Sequence, residues 1–199
     1  MANSNKPFGL VPVRSLTTGK NTGRVSRYRK EASVILGVGD PVVLTGTSSI
    51  IGTNGALQDG IPLVTRATAG GLTTGVVVGF EFDLALPGPA HNAKHMAAAD
   101  KGMVLVCDDP YMVFEIQEDS DASSVAVTDI GEAADYATIG NADTTLGLST
   151  VVLDSSNAGT GDNLQILAMA DRVGNELGAY TVFEVLINEH TYKGVGTPT

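Results

Sequence analysis

The apolar runs in this sequence are all short, and most stop at a glycine, proline or aspartate. A chain punctuated in this way is poorly suited to long amphipathic helices, whose apolar stripe must recur over several turns without a breaker. Strands need only four to eight such residues, so the pattern favours many short strands joined by tight turns. With 24 glycines in 199 residues, 5% aromatic residues and no tryptophan, the composition leans the same way. A chain of this length buries roughly 70% of its unfolded surface, enough for a genuine core.

Individual strands can be placed from alternation and turn residues. Val34-Ile35-Leu36 and Asp40-Pro41-Val42-Val43-Leu44-Thr45-Gly46 are set off by glycines, and Ile50-Ile51 and Ile61-Pro62-Leu63-Val64 follow the same punctuation. In Gly75 to Asp83, Phe80 and Phe82 alternate with Glu81 and Asp83, as on a half-buried strand. Residues 84–101 read as a long loop with one helical turn near Ala97-Ala98-Ala99. Met103 to Cys107 and Tyr111 to Gln117 flank Asp108-Asp109-Pro110, a turn signal that predicts a hairpin, with Met112, Phe114 and Ile116 on one face. The spacing of Val127, Ile130 and Ala134 predicts one short helix over 123–137, entered at Asp121 or Ser123 and weakened by Gly131. Leu164 to Met169 and Tyr180 to Asn188 are the final strands, with Phe183, Val185 and Ile187 facing inward. The expected fold is mainly β: a single β-barrel or β-sandwich, jelly-roll-like, with an extended N-terminal arm.

Charge sets that arm apart. Residues 1–30 carry seven basic side chains and no acid, whereas the rest of the chain carries five basic and 22 acidic ones. Pro7, Pro12, Gly9, Gly19 and Gly23 break any helical pattern, so residues 1–30 are expected to be extended and residues 31–199 to form the β-rich body. In Arg24 to Lys30 the basic residues fall on both parities, so a strand there must pair at an edge or lie on another surface. The candidate partner-binding residues are Lys6, Phe8, Arg14, Lys20, Arg24, Arg27, Tyr28, Arg29 and Lys30. An acidic protein surface, including that of a neighbouring copy, suits them better than nucleic acid, which the acidic body repels and for which only Phe8 and Tyr28 offer stacking. The body is expected to fold without the arm.

The search for reaction chemistry excludes more than it finds. His91 and His95 stand four apart, but Pro89 spoils a helix there and no glutamate follows His91 as in a zinc protease, so solvated loop histidines are the better reading. Asp108, Asp109, Glu118, Asp119 and Asp121 could meet around calcium if their loops converge, though their spacing matches no EF-hand. Neither a phosphate-binding glycine loop followed by lysine nor a Gly-x-Ser-x-Gly elbow occurs. His190 is placed where the last strand ends and is read as orienting a terminus; the single cysteine, Cys107, is read as core. No catalytic residue, cofactor or metal is therefore assigned. With no apolar run of 18 residues and no secretory core after Met1, the protein is expected in the cytosol, without a membrane partner.

Taken together, several segments resemble one family. These are Asn5 to Arg14, Gly39-Asp40-Pro41-Val42-Val43-Leu44, the Asp108-Asp109-Pro110 turn running into Phe114-Glu115-Ile116-Gln117, Thr145 to Ser149, Asp171 to Glu176, and Val185 to His190. In this order, over nearly the full chain, they resemble the capsid cement, or decoration, proteins of tailed bacteriophages. The resemblance implies a non-enzymatic virion protein on the capsid exterior, made in the host cytoplasm. It would bind the major capsid protein and other copies of itself, as a homotrimer or a dimer, and clamp adjacent capsomers. The alternative is a phage fibre or tail module, a β domain that binds a receptor glycan; it needs an exposed aromatic platform, which five Phe and five Tyr supply thinly.

Overall fold

The computed structural model describes residues 3–19, 23–31, 33–48, 60–81, 94–98, 102–121, 123–138, 140–161 and 163–193. The chain is mainly β, with several sheets and almost no helix. No helix among the described residues is long and apolar enough to cross a membrane. One sheet is antiparallel and runs β1 (Val11–Ser15), β9 (Met112–Gln117), β14 (Val182–Ile187), β13 (Leu164–Met169), β10 (Ala133–Ala134). Five more strands pair in a ring: β2 (Val25–Lys30), β5 (Pro62–Arg66), β4 (Pro41–Ser48), β6 (Gly75–Glu81) and β8 (Met103–Cys107), which returns to β2. Two short ladders complete the set, β3 (Leu36–Gly37) with β7 (His95–Met96) and β11 (Tyr136–Thr138) with β12 (Val151–Leu153).

Alternation explains why these strands pack as they do. Phe114 lies opposite Val185, which lies opposite Ile166, and Ile116 lies opposite Phe183, so one face of the sheet is an unbroken apolar stripe. Val76, Ala67 and Cys107 of the ring region complete that core, while Tyr28, Val42, Val64, Val77, Val104 and Val106 form a second one with Leu36 and Met96. Each apolar side chain so buried contributes roughly 1.5–3 kcal/mol. Burial of Cys107 is as expected, and it pushes the thiol pKa up to about 11, so the thiol stays protonated at neutral pH.

Three expectations are corrected. The turn at Asp108-Asp109-Pro110 forms, with Met112 N–H donating to Asp109 C=O at 3.1 Å, but β8 and β9 do not pair with each other. Each joins a different sheet, so the turn is a corner between layers. The segment 123–137 is not a helix: only Val127–Asp129 makes a 310 turn, followed by β10 and β11. Gly131 adopts φ +100°, and the Tyr136 hydroxyl is drawn under the sheet to Thr73 Oγ1 at 3.0 Å and Thr68 C=O at 3.2 Å, which a continuing helix would forbid.

The third correction concerns residues 1–30, which are not an arm beside a body. β1 pairs with β9, and β2 lies between β8 and β5 inside the ring. Upstream of β1, Gly9 and Gly39 cross at close range, both with positive φ, and Leu10 N–H donates to Gly39 C=O at 3.0 Å. A Cβ on Gly9 would stand 2.5 Å from Gly39 O and from Ser149 Cβ, so no other residue fits that crossing. The expected strand at Ile50-Ile51, Phe82 and most of the expected loop over 84–101 lie outside the described residues, although within that span His95–Met96 is strand.

Candidate functional site

Three of the basic side chains of residues 1–30 pair with acids of the same chain. Arg14 pairs with Glu184 at 2.5 Å, Arg24 with Asp108 at 2.8 Å and Arg27 with Glu81 at 2.6 Å. Tyr28, Arg29 and Lys30 are buried, and the Lys30 ammonium donates to the carbonyls of Glu31 at 2.9 Å and Ala98 at 3.2 Å. These three cannot form an exposed docking surface, and Lys20 lies outside the described residues. Of the nine candidates, Lys6 and Phe8 stand apart, beside a cleft on the sheet's flank.

A hydrogen-bonded cluster joins β2 to the chain after β14. Asp108 is buried at the corner between layers, where it accepts from Arg24 Nε at 2.8 Å and from the Tyr28 hydroxyl at 2.7 Å. With its own O–H directed to Asp108, Tyr28 accepts from Tyr192, whose hydroxyl is 3.0 Å away and whose ring lies 5.1 Å under the Arg24 guanidinium. Burial alone would raise the Asp108 pKa, but donors from Arg24, Tyr28 and Ser26 outweigh it and hold the carboxyl below its ordinary range. Next to it, burial and the Lys193 charge push His190 down to about 4. His190 Nδ1 accepts from Tyr192 N–H at 3.1 Å, leaving Nε2 buried with no partner. Asp108 is thus fixed as an anion and His190 as a neutral ring at neutral pH. Charges are pinned here, and neither group is poised to exchange a proton near pH 7.

The cleft has a volume of about 410 Å³ and lies between residues 3–8 and the turn after β13. Gln117 braces it from below: its carboxamide accepts from Lys6 N–H at 2.9 Å and donates to Ser4 C=O at 2.9 Å and Tyr180 C=O at 3.2 Å. Asn3 donates to the carbonyls of Glu176 at 2.6 Å and Ala179 at 3.1 Å. Arg172 stacks 5.2 Å above the Phe8 ring while its other side holds Glu115 at 2.8 Å.

Of the expected calcium candidates, the fold brings only Asp119 and Asp121 together and adds Asp154, with oxygens of all three within 4.8 Å of one another. Donors within the cluster already meet part of that charge, since Asp119 accepts from Ser155 N–H and hydroxyl at 3.2 and 2.7 Å. Asp154 likewise accepts from Ser156 N–H at 3.0 Å. Asp108 is committed to Arg24 and Tyr28. Glu118 is buried with its pKa raised, chiefly by desolvation, and accepts from Val125 N–H at 2.9 Å. His95 sits in β7, while His91 lies outside the described residues.

Reading the sequence missed Tyr192, Arg172, Gln117 and Asp154; for the first three, the partners lie scores of positions away. Only Asp154-Ser155-Ser156-Asn157 carried a local signal, that of a side chain capping its own turn, here Asp154 accepting from Ser156 N–H. Compared with known proteins, the chain matches no family model, no curated protein and no solved structure.

Proposed function

We propose that this chain is a structural virion protein, without catalytic activity, that binds the outside of a tailed-phage capsid and clamps adjacent major capsid protein subunits. The observation that carries the reading is that both described ends of the chain are stitched into the fold. β1 is bound along β9, β2 along β8, and Tyr192 is tied back to β2. Tension along such ladders must break many hydrogen bonds together, which suits a clamp on a pressurised shell. The sandwich-like packing of sheet against ring, the likeness of Asn5 to Arg14 and Val185 to His190 to decoration proteins, and self-association as a trimer or dimer belong to the same proposal. So does a location on the capsid exterior after a cytoplasmic stage.

Because Arg14, Arg24 and Arg27 are satisfied internally, attachment falls to side chains that stay outside the seam, Lys6 and Phe8 among them. A glycan-binding module draws less from this surface, since the two half-exposed tyrosines, Tyr111 and Tyr192, each have a cation over the ring. The test is cosedimentation of the full chain with expanded capsids stripped of surface proteins, read with the rupture temperature of the shells. Saturable binding and a higher rupture temperature are expected. A folded protein that stays in the supernatant at low and physiological salt, with rupture unchanged, would sink the proposal.

A further inference from the structure

The cleft beside Lys6 is more specific than a gap between loops. Its described lining is Asn3, Ser4, Lys6, Phe8, Gln117, Arg172 and the stretch through Val173, Asn175, Tyr180 and Val182. Among those residues are two cations, Lys6 and Arg172, and no carboxylate, in a chain with 22 acids and 12 bases; Arg172 is paired with Glu115 outside the lining, so Lys6 supplies the net positive charge. The walls are held in place before anything binds. Gln117 ties the strap of residues 4–6 to Tyr180, and Asn175 braces the opposite turn by donating to Ala170 C=O at 2.8 Å and Val182 C=O at 2.9 Å. Phe8 supplies apolar surface above the buried Val182, and Val173, the most exposed large apolar side chain described, stands at the rim.

We propose that this cleft is a binding site for an extended acidic peptide segment of a partner protein, in which carboxylates alternate with apolar side chains. Charge complementarity favours that occupant. Exposed Lys6 meets the carboxylates, Arg172 adds guanidinium N–H donors beyond the one that holds Glu115, and Phe8 and Val173 cover the apolar residues. A preformed cleft spares the ordering cost that a mobile one imposes. The inference goes beyond capsid attachment and stands without it, because it can be read on the isolated protein.

The probe is a blocked peptide, acetyl-Leu-Glu-Leu-Asp-Leu-amide, against its isostere acetyl-Leu-Gln-Leu-Asn-Leu-amide. Binding to the full chain is followed by calorimetry and by backbone NMR shifts. The acidic peptide is expected to bind at least about tenfold more tightly, with shifts at Lys6, Gln117 and Asn175. Lys6→Glu and Val173→Ser, both at exposed positions, should each weaken it several-fold without altering the melting temperature, and Lys6→Arg should retain it. Equal affinity for both peptides overturns the proposal, as do shifts confined to other regions. Acetate binding as tightly as the peptide overturns it in favour of a simple anion site. Self-association of the protein alone that Val173→Ser dissolves overturns it in favour of a second copy.

Discussion

His190 is buried, lacks a partner at Nε2, and has its pKa pushed down to about 4 from an ordinary 6.5. The unfolded chain therefore takes up a proton between those values while the folded chain refuses it. Stability from this residue is complete above pH 6.5, declines as pH falls, and is fully lost by about pH 4. Between pH 7 and pH 5 the expected loss is about 2 kcal/mol, read from urea midpoints. Asp108 does not share that window, because its pKa is held below the ordinary carboxylate value and its contribution disappears only at lower pH. Glu118 acts with the opposite sign: its raised pKa makes the fold gain on acidification as pH falls through the folded value. The comparison with His190→Asn separates the two, since Asn can still accept from Tyr192 N–H but does not titrate. The variant should show a much smaller difference between the two pH values, and an unchanged difference would remove His190 as its source.

At the scale of elements, deleting residues 2–30 strips β1 from the sheet and β2 from the ring. One edge of β9 then loses its partner, and β8 and β5 are left unbridged. The truncated chain is expected to lose cooperative thermal unfolding, measured by circular dichroism, rather than survive as a soluble body. A sharp transition near that of the full chain would show the stitching to be dispensable. The sequence made most strands legible because Phe114 and Ile116, like Phe183 and Val185, flank a glutamate in strands bounded by turn residues. What it could not show was pairing, which is decided by residues distant along the chain. Asp108-Asp109-Pro110 promises a turn, yet the two strands beside it find partners elsewhere. The charge of residues 1–30 pointed to an acidic surface on another molecule, and nothing local says that Arg14, Arg24 and Arg27 pair with Glu184, Asp108 and Glu81 of the same chain. Val127, Ile130 and Ala134 have helical spacing, yet Val127 and Ile130 face solvent and Ala134 lies in a strand. The cleft was the least legible feature, since Lys6, Gln117, Arg172 and Tyr180 meet only in the finished fold.

Across the whole molecule, the ring closes only when the first strands meet later ones. β2 needs β8, β1 needs β9, and β9 in turn needs β14, which ends at Ile187. On a ribosome, therefore, β1 waits unpaired until β9, which ends at Gln117, has been made. Until β14 follows and pairs with β9, the sheet that β1 joins is unfinished, and nascent chains stopped short of it are expected to be more open to proteolysis than chains that carry it.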